Sequence, residues 1–102
     1  MSLYNRTATG HSFDERTKLQ VWSKGQIVAN YDPRVHRKDS CGAWMQYDKY
    51  GDTGNQFGWE IDHIHPSSKG GTDQLSNLQP LYWENNRYKS DNIQWFCKVG
   101  SR

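Results

Sequence analysis

From Trp59-Glu60-Ile61-Asp62-His63-Ile64-His65-Pro66 down to Asn92, side chains able to do chemistry fall at each junction between short elements. Asp62 offers a hard oxygen ligand for a divalent cation. His63, beside it, offers a nitrogen that titrates near neutral pH. Gly70-Gly71 breaks the strand and reverses the chain. Asn77-Leu78-Gln79-Pro80-Leu81-Tyr82 begins a second short strand, and Trp83-Glu84-Asn85-Asn86-Arg87-Tyr88-Lys89 reads as a helix carrying amides and cations. The order is strand, loop, strand, helix, with acid, base and amide at the joints.

The elements around these residues constrain where they can point. Phe57 to Ile64 is predicted as a strand. Alternation puts Glu60, Asp62 and Ile64 on one face and Trp59, Ile61 and His63 on the other. Asp62 and His63 cannot both face inward from a regular strand, so the strand must end or twist at this pair. Upstream, Ser12-Phe13-Asp14-Glu15 is a capping box. It opens a predicted helix over Phe13–Ala29 that stops near Asn30 and Asp32-Pro33. Val21, Trp22 and Ile27 are its expected buried contacts, and Gly25 weakens its interior. Arg34 to Ser40 is expected as a loop or short helix, and Cys41 to Tyr47 as a strand. Tyr50-Gly51-Asp52-Thr53-Gly54-Asn55 is expected as a turn. Residues 1–11 are expected as a flexible terminus.

With 102 residues there is room for one domain and a small core. Only 33% of the chain is hydrophobic but 14% is aromatic, so the core must rest on Trp and Tyr, whose polar tips need partners. The net charge of +2 is too small to argue for nucleic acid, so the clusters Arg34/Arg37/Lys38, Arg87/Lys89 and Lys98/Arg102 carry more information. No apolar run reaches the length of a membrane span and no signal-peptide pattern opens the chain, so a cytoplasmic protein is expected. Cys41 and Cys97 form no Cys-x-x-Cys pair and are expected as reduced thiols. A disulfide, or a zinc site recruiting distant histidines, is the alternative.

The run Asp62-His63-Ile64, Gly70-Gly71, Asn77-Leu78 and Asn86-Arg87-Tyr88-Lys89-Ser90-Asp91 resembles the HNH nuclease motif. It is also similar to the HNH domain of CRISPR effector nucleases, whose last segment has the same Asn-Arg-x-Lys-Ser-Asp order. The resemblance covers roughly residues 59 to 92, and several spaced elements agree in order. It implies an α+β fold with a ββα-metal (His-Me finger) core over 41–92, hairpin included. A helix over 12–30 precedes it, all within a single domain over 1–102. It implies a metal-dependent endonuclease that hydrolyses phosphodiester bonds of double-stranded DNA, leaving 5′-phosphate and 3′-hydroxyl ends. Bacterial or phage origin is implied as well.

By the same resemblance, Asp62 and Asn86 hold one divalent ion, and neutral His63 takes a proton from the attacking water. Asn77 ties the loop back and orients the imidazole. Arg87, Lys89, Lys69 and His65 are candidate nucleic-acid contacts, and Glu60 and Ser90 candidate supports behind the ligands. The plainer reading of His65 is a loop or surface histidine, and that of Glu60 a solvated or salt-bridged strand carboxylate. Two departures from the family matter. The paired cysteines that bind structural zinc in many members are missing, so no structural zinc is expected. The helix supplies Asn86 where many members have a histidine, and an oxygen-only set suits Mg²⁺ or Mn²⁺. A nucleic-acid-binding module with weak or no cleavage is the alternative function, and a zinc-stabilised interaction domain a third. A homodimer stays open, because a one-site nuclease needs a dimer or two visits to break both strands.

Overall fold

The computed structural model of the chain describes residues 4–100. Its element order is α1 (Glu15–Trp22), β1 (His36–Lys38), β2 (Trp44–Gln46), β3 (Trp59–His63), β4 (Leu78–Tyr82) and α2 (Trp83–Lys89), with short 3-10 turns between. The fold is α+β, with two antiparallel two-stranded sheets, β1–β2 and β3–β4.

The β3–β4 hairpin is the frame of the molecule. Its register pairs Trp59 with Tyr82, Ile61 with Pro80 and His63 with Leu78. Pro80 is tolerated because Ile61, opposite it, sends its N–H outward to Asn5 Oδ1 at 2.8 Å. Directly opposed residues of an antiparallel pair face the same way, so the nitrogen of Pro80 also points off the ladder. All five β3 residues are buried, because α2 follows β4 directly and covers one face while the aromatic core covers the other. Periodicity alone puts Asp62 and His63 on opposite faces. The structure buries both and still ends the strand at His63.

The core holds Val21, Trp22, Ala43, Met45, Trp59, Ile61, Leu78 and Tyr82. Trp22 and Trp59 lie 5.0 Å apart, Tyr50 and Trp59 4.9 Å, and Trp22 and Tyr47 5.3 Å. Burying about 150–250 Å² of ring surface, at about 25 cal/mol per Å², is worth roughly 4–6 kcal/mol per aromatic before entropy. A few rings therefore stand in for a larger aliphatic core. Their polar tips are satisfied: Trp22 Nε1 donates to Pro33 O and Trp59 Nε1 to Tyr47 O.

Several expected boundaries move. α1 starts one residue after Asp14, whose side chain, not that of Ser12, caps it by accepting from Thr17 N at 2.8 Å. It ends at Trp22 rather than near Ala29. The chain turns through Gly25, where an added Cβ would lie 3.1 Å from the Arg37 side chain, and Gln26 then pairs with Lys38. Val21 and Trp22 are buried as expected, but Ile27, beyond the helix, is exposed. The segment expected as loop or helix supplies β1. Arg37 in it donates to Pro33 O, Ser23 O and Gly25 O, so it closes the turn after α1. The expected flexible terminus is tied down from Tyr4 onward: besides the Asn5 contact, Ala8 N donates to Asp73 Oδ1 at 2.9 Å. Residues 1–3 and Arg102 of the last basic cluster lie outside the described residues.

The reduced pair is also corrected. Cys41 and Cys97 form a disulfide with their Cα atoms 5.7 Å apart. The sulfurs meet because buried Asn85 grips the tail, accepting from Lys98 N and Val99 N and donating to Val99 O. Fully buried Asp39 anchors the other side. It accepts from Cys41 N, Ala43 N, Tyr82 N and Asn85 Nδ2, at 2.9–3.0 Å.

Candidate functional site

The end of β3, the loop after it and the C-terminal end of α2 enclose a cavity of about 240 Å³, lined among others by Asp62, His63, Ser67, Asn86 and Ser90. Three residues singled out in the sequence, Asp62, His63 and Asn86, thus come together. Tyr4 and Asn5 of the N-terminal segment line the same cavity; the sequence pattern contained no signal for them.

Asp62 is 6% exposed. Its Oδ2 accepts from Gln79 Nε2 at 2.9 Å, and its Oδ1 lies 3.2 Å from Lys89 Nζ. Burial pushes its carboxyl pKa above the ordinary value, outweighing the opposite pull of Gln79 and Lys89. A carboxylate held this way is stabilised by added positive charge. Lys89 is the correction here. It was expected at a phosphate, but it is 1% exposed, and its ammonium also donates to His63 O at 3.0 Å. It is the internal counter-ion of Asp62.

His63, also buried, places Nε2 2.7 Å from Asp73 Oδ1. An ionised carboxylate only accepts, so Nε2 carries a hydrogen, and in the neutral form of the ring the lone pair is then on Nδ1. Phe13 packs near the ring, 6.1 Å between centroids. Asp73 is a functional candidate that the sequence gave no reason to choose, since an Asp after Gly-Gly-Thr reads as turn chemistry.

Asn77 closes the intervening loop. Its Nδ2 donates to Thr72 O and His65 O, and its Oδ1 accepts from His65 N at 2.8 Å. It ties the loop back as expected, but the atom that holds the imidazole belongs to Asp73. Gly71 makes this loop possible: a Cβ there would lie 1.7 Å from His65 O. His65 Nε2 contacts Lys69 O at 2.9 Å within the loop, and Lys69 itself is exposed at its rim.

On α2, Asn86 is 2% exposed, and its Nδ2 donates to Glu60 Oε1 at 2.9 Å. Among the described residues that is its one side-chain hydrogen bond, which leaves Oδ1 for the cavity that Asn86 lines. Arg87 donates from Nε and Nη2 to the two oxygens of Glu60, at 2.9 and 2.7 Å. Its guanidinium also lies 4.3 Å from the Tyr4 ring centre. Glu60, 2% exposed, is thus the salt-bridged strand carboxylate, and it holds Asn86 as well. Ser90 lines the cavity at a positive φ of 51° where α2 ends.

Among the described residues no three His, Cys, Asp or Glu side chains gather as a metal-binding group. The cavity lining includes the Asp62 and Asp91 carboxylates, and from α2 the Asn86 amide; Asp62 and Asn86 are the pair that the motif singles out. Such a pair fits a hard cation that keeps much of its shell as water or phosphate oxygen, the habit of Mg²⁺. No described helix is long and apolar enough to cross a membrane.

Residues 51–92 match the family model described as HNH endonuclease. Comparison with curated proteins and with solved structures finds no match.

Proposed function

We propose, from the match of residues 51–92 to the HNH endonuclease family model, that the chain is a metal-dependent DNA endonuclease with a ββα-metal site formed by β3, β4 and α2. The observation that carries the reading is the meeting of Asp62, His63 and Asn86 at one cavity, with His63 Nε2 engaged by Asp73.

The substrate phosphodiester is anionic and repels hydroxide. Hydrolysis therefore needs local positive charge and a base aimed at water. Asp62 and Asn86 Oδ1 would hold one Mg²⁺ or Mn²⁺. When bound, that ion supplies Lewis-acid stabilisation of charge on the scissile phosphate and the leaving 3′ oxygen. His63 takes the proton of the attacking water at Nδ1. Asp73 fixes the tautomer at Nε2 and stabilises the imidazolium that forms, and Asn77 holds the loop between them. Lys89 offsets the charge of Asp62 before the cation arrives. Exposed Lys69 and His65 and the remaining Arg87 nitrogen, Nη1, are the candidate contacts for flanking phosphates. The products carry 5′ phosphate and 3′ hydroxyl.

The test is conversion of supercoiled plasmid to nicked circles. We expect it with Mg²⁺ or Mn²⁺, and not with chelator. Retention of plasmid on the protein with no metal-dependent nicking would instead favour a binding module.

A further inference from the structure

We propose that Glu60 is a positioning residue that turns the Asn86 carbonyl oxygen into the cavity, and that Arg87 serves the site by locking Glu60. This deepens the reading above and rests on Asn86 being a cation ligand.

The two acids of β3 and two side chains of α2 face each other as matched pairs. Glu60 meets Asn86 and Asp62 meets Lys89. In the first pair the chemistry allows one orientation. A side-chain amide has a donating end and an accepting end that differ little in shape, so sterics alone do not choose between them. A carboxylate only accepts. With Glu60 Oε1 at 2.9 Å, the nitrogen must face Glu60 and the oxygen must face the cavity. The reverse orientation would set a carbonyl against a carboxylate in a buried place and present N–H groups to a cation.

Glu60 can do this only if it is itself held. Arg87 grips both of its oxygens, at 2.9 and 2.7 Å, in the two-pronged geometry that fixes a carboxylate plane. Tyr4 stacks on the guanidinium and its hydroxyl donates to Arg87 O. The chain of constraint runs Tyr4, Arg87, Glu60, Asn86 and ends at the ligand atom.

The experiment is Mn²⁺ titration of the full chain, followed by the spin-resonance signal of free Mn²⁺, with thermal melting beside it. Glu60→Met should weaken Asp62-dependent Mn²⁺ binding by about 10–100-fold, the usual cost of removing a group that orients a ligand. Asn86→Asp removes the donating end and sets a second carboxylate against Glu60, so Glu60 has no orientation left to choose, and adding Glu60→Met to that background should leave Mn²⁺ binding unchanged or tighter. Arg87→Met supplies a second arm that leaves Glu60 in place and tolerates a folding defect in the first. Removing a positive charge near a cation should strengthen binding on electrostatics alone, whereas a positioning role predicts weaker binding. Equal losses from Glu60→Met in both backgrounds, or tighter binding in Arg87→Met, would overturn the proposal and leave the metal site standing. Absence of Asp62-dependent Mn²⁺ binding in the unaltered protein would overturn both.

Discussion

Replacing Lys89 by methionine keeps most of the aliphatic stem of the side chain and deletes one buried charge. The side chain is 1% exposed, and its ammonium serves Asp62 Oδ1 at 3.2 Å and His63 O at 3.0 Å. Without it, Asp62 keeps only the Gln79 amide as an uncharged partner. Removing one member of a buried ion pair typically costs about 3–5 kcal/mol, because the other charge stays behind. For a domain of this size about 3 kcal/mol lowers Tm by roughly 12–24 °C. The sign with pH follows from Asp62. Burial already raises its pKa, so its ionised form is a cost to the folded state that disappears as pH falls through that raised value. The Lys89→Met deficit should therefore be largest at neutral pH and shrink in acid. Lys69→Met, at an exposed position, should change stability by no more than about 0.5 kcal/mol. Urea titrations of the three proteins at pH 7 and at pH 4.5, without divalent metal, measure all of this. A Lys89→Met protein as stable as the parent at pH 7 would refute the counter-ion argument and return Lys89 to the surface role suggested by the motif.

Further outcomes are expected. Changing both Cys41 and Cys97 to Ser opens a 56-residue separation and should cost about 2–4 kcal/mol. A cooperative thermal transition should survive, because Asn85 and Asp39 still hold the tail; calorimetry decides. Tyr50 is pushed up to about 12, chiefly by burial. The folded state thus keeps the phenolic proton after an unfolded tyrosine loses it near pH ~10, and the associated stability should drain away as pH rises from there towards 12. Tyr50→Phe should lose less stability than the parent over that range in alkaline melts. Asp73→Asn should slow single-turnover cleavage by less than the ~10²–10⁴ assigned to a general base, because the amide can pair with either tautomer of His63. An unchanged rate would remove Asp73 from the site.

The parts legible in the sequence were those whose signal is local. The hairpin, α2 and the aromatic core follow from alternation, turn residues and composition, and the Asp62, His63 and Asn86 spacing carried a family resemblance. What escaped depends on partners far along the chain. Lys89 reads as an exposed helical cation until the strand 26 residues earlier is seen to need it. Asp73 looks like turn chemistry until the loop brings it to the imidazole. α1 ends at Trp22, and the chain then passes Arg37 so closely at Gly25 that an added Cβ would lie 3.1 Å from it, a tertiary contact that no helical propensity records. Three residues of β1 are stranded by pairing with β2, not by any alternation of their own. The disulfide is not legible in two cysteines 56 residues apart, because its meeting point is built by Asn85 holding the tail.

In the proposed mechanism, proton transfer and cation binding belong to different side chains of one cavity. Calorimetric Mn²⁺ titration beside single-turnover plasmid cleavage, across pH and metal concentration, tests it on His63→Ala, Asp62→Ala and Asn86→Ala. His63→Ala should bind Mn²⁺ like the parent yet lose about 10²–10⁴ in rate. Asp62→Ala and Asn86→Ala should lose the ion, with activity partly recovered at high metal. Loss of Mn²⁺ binding in His63→Ala, with binding intact in Asn86→Ala, would contradict the assignment and place the cation on the histidine.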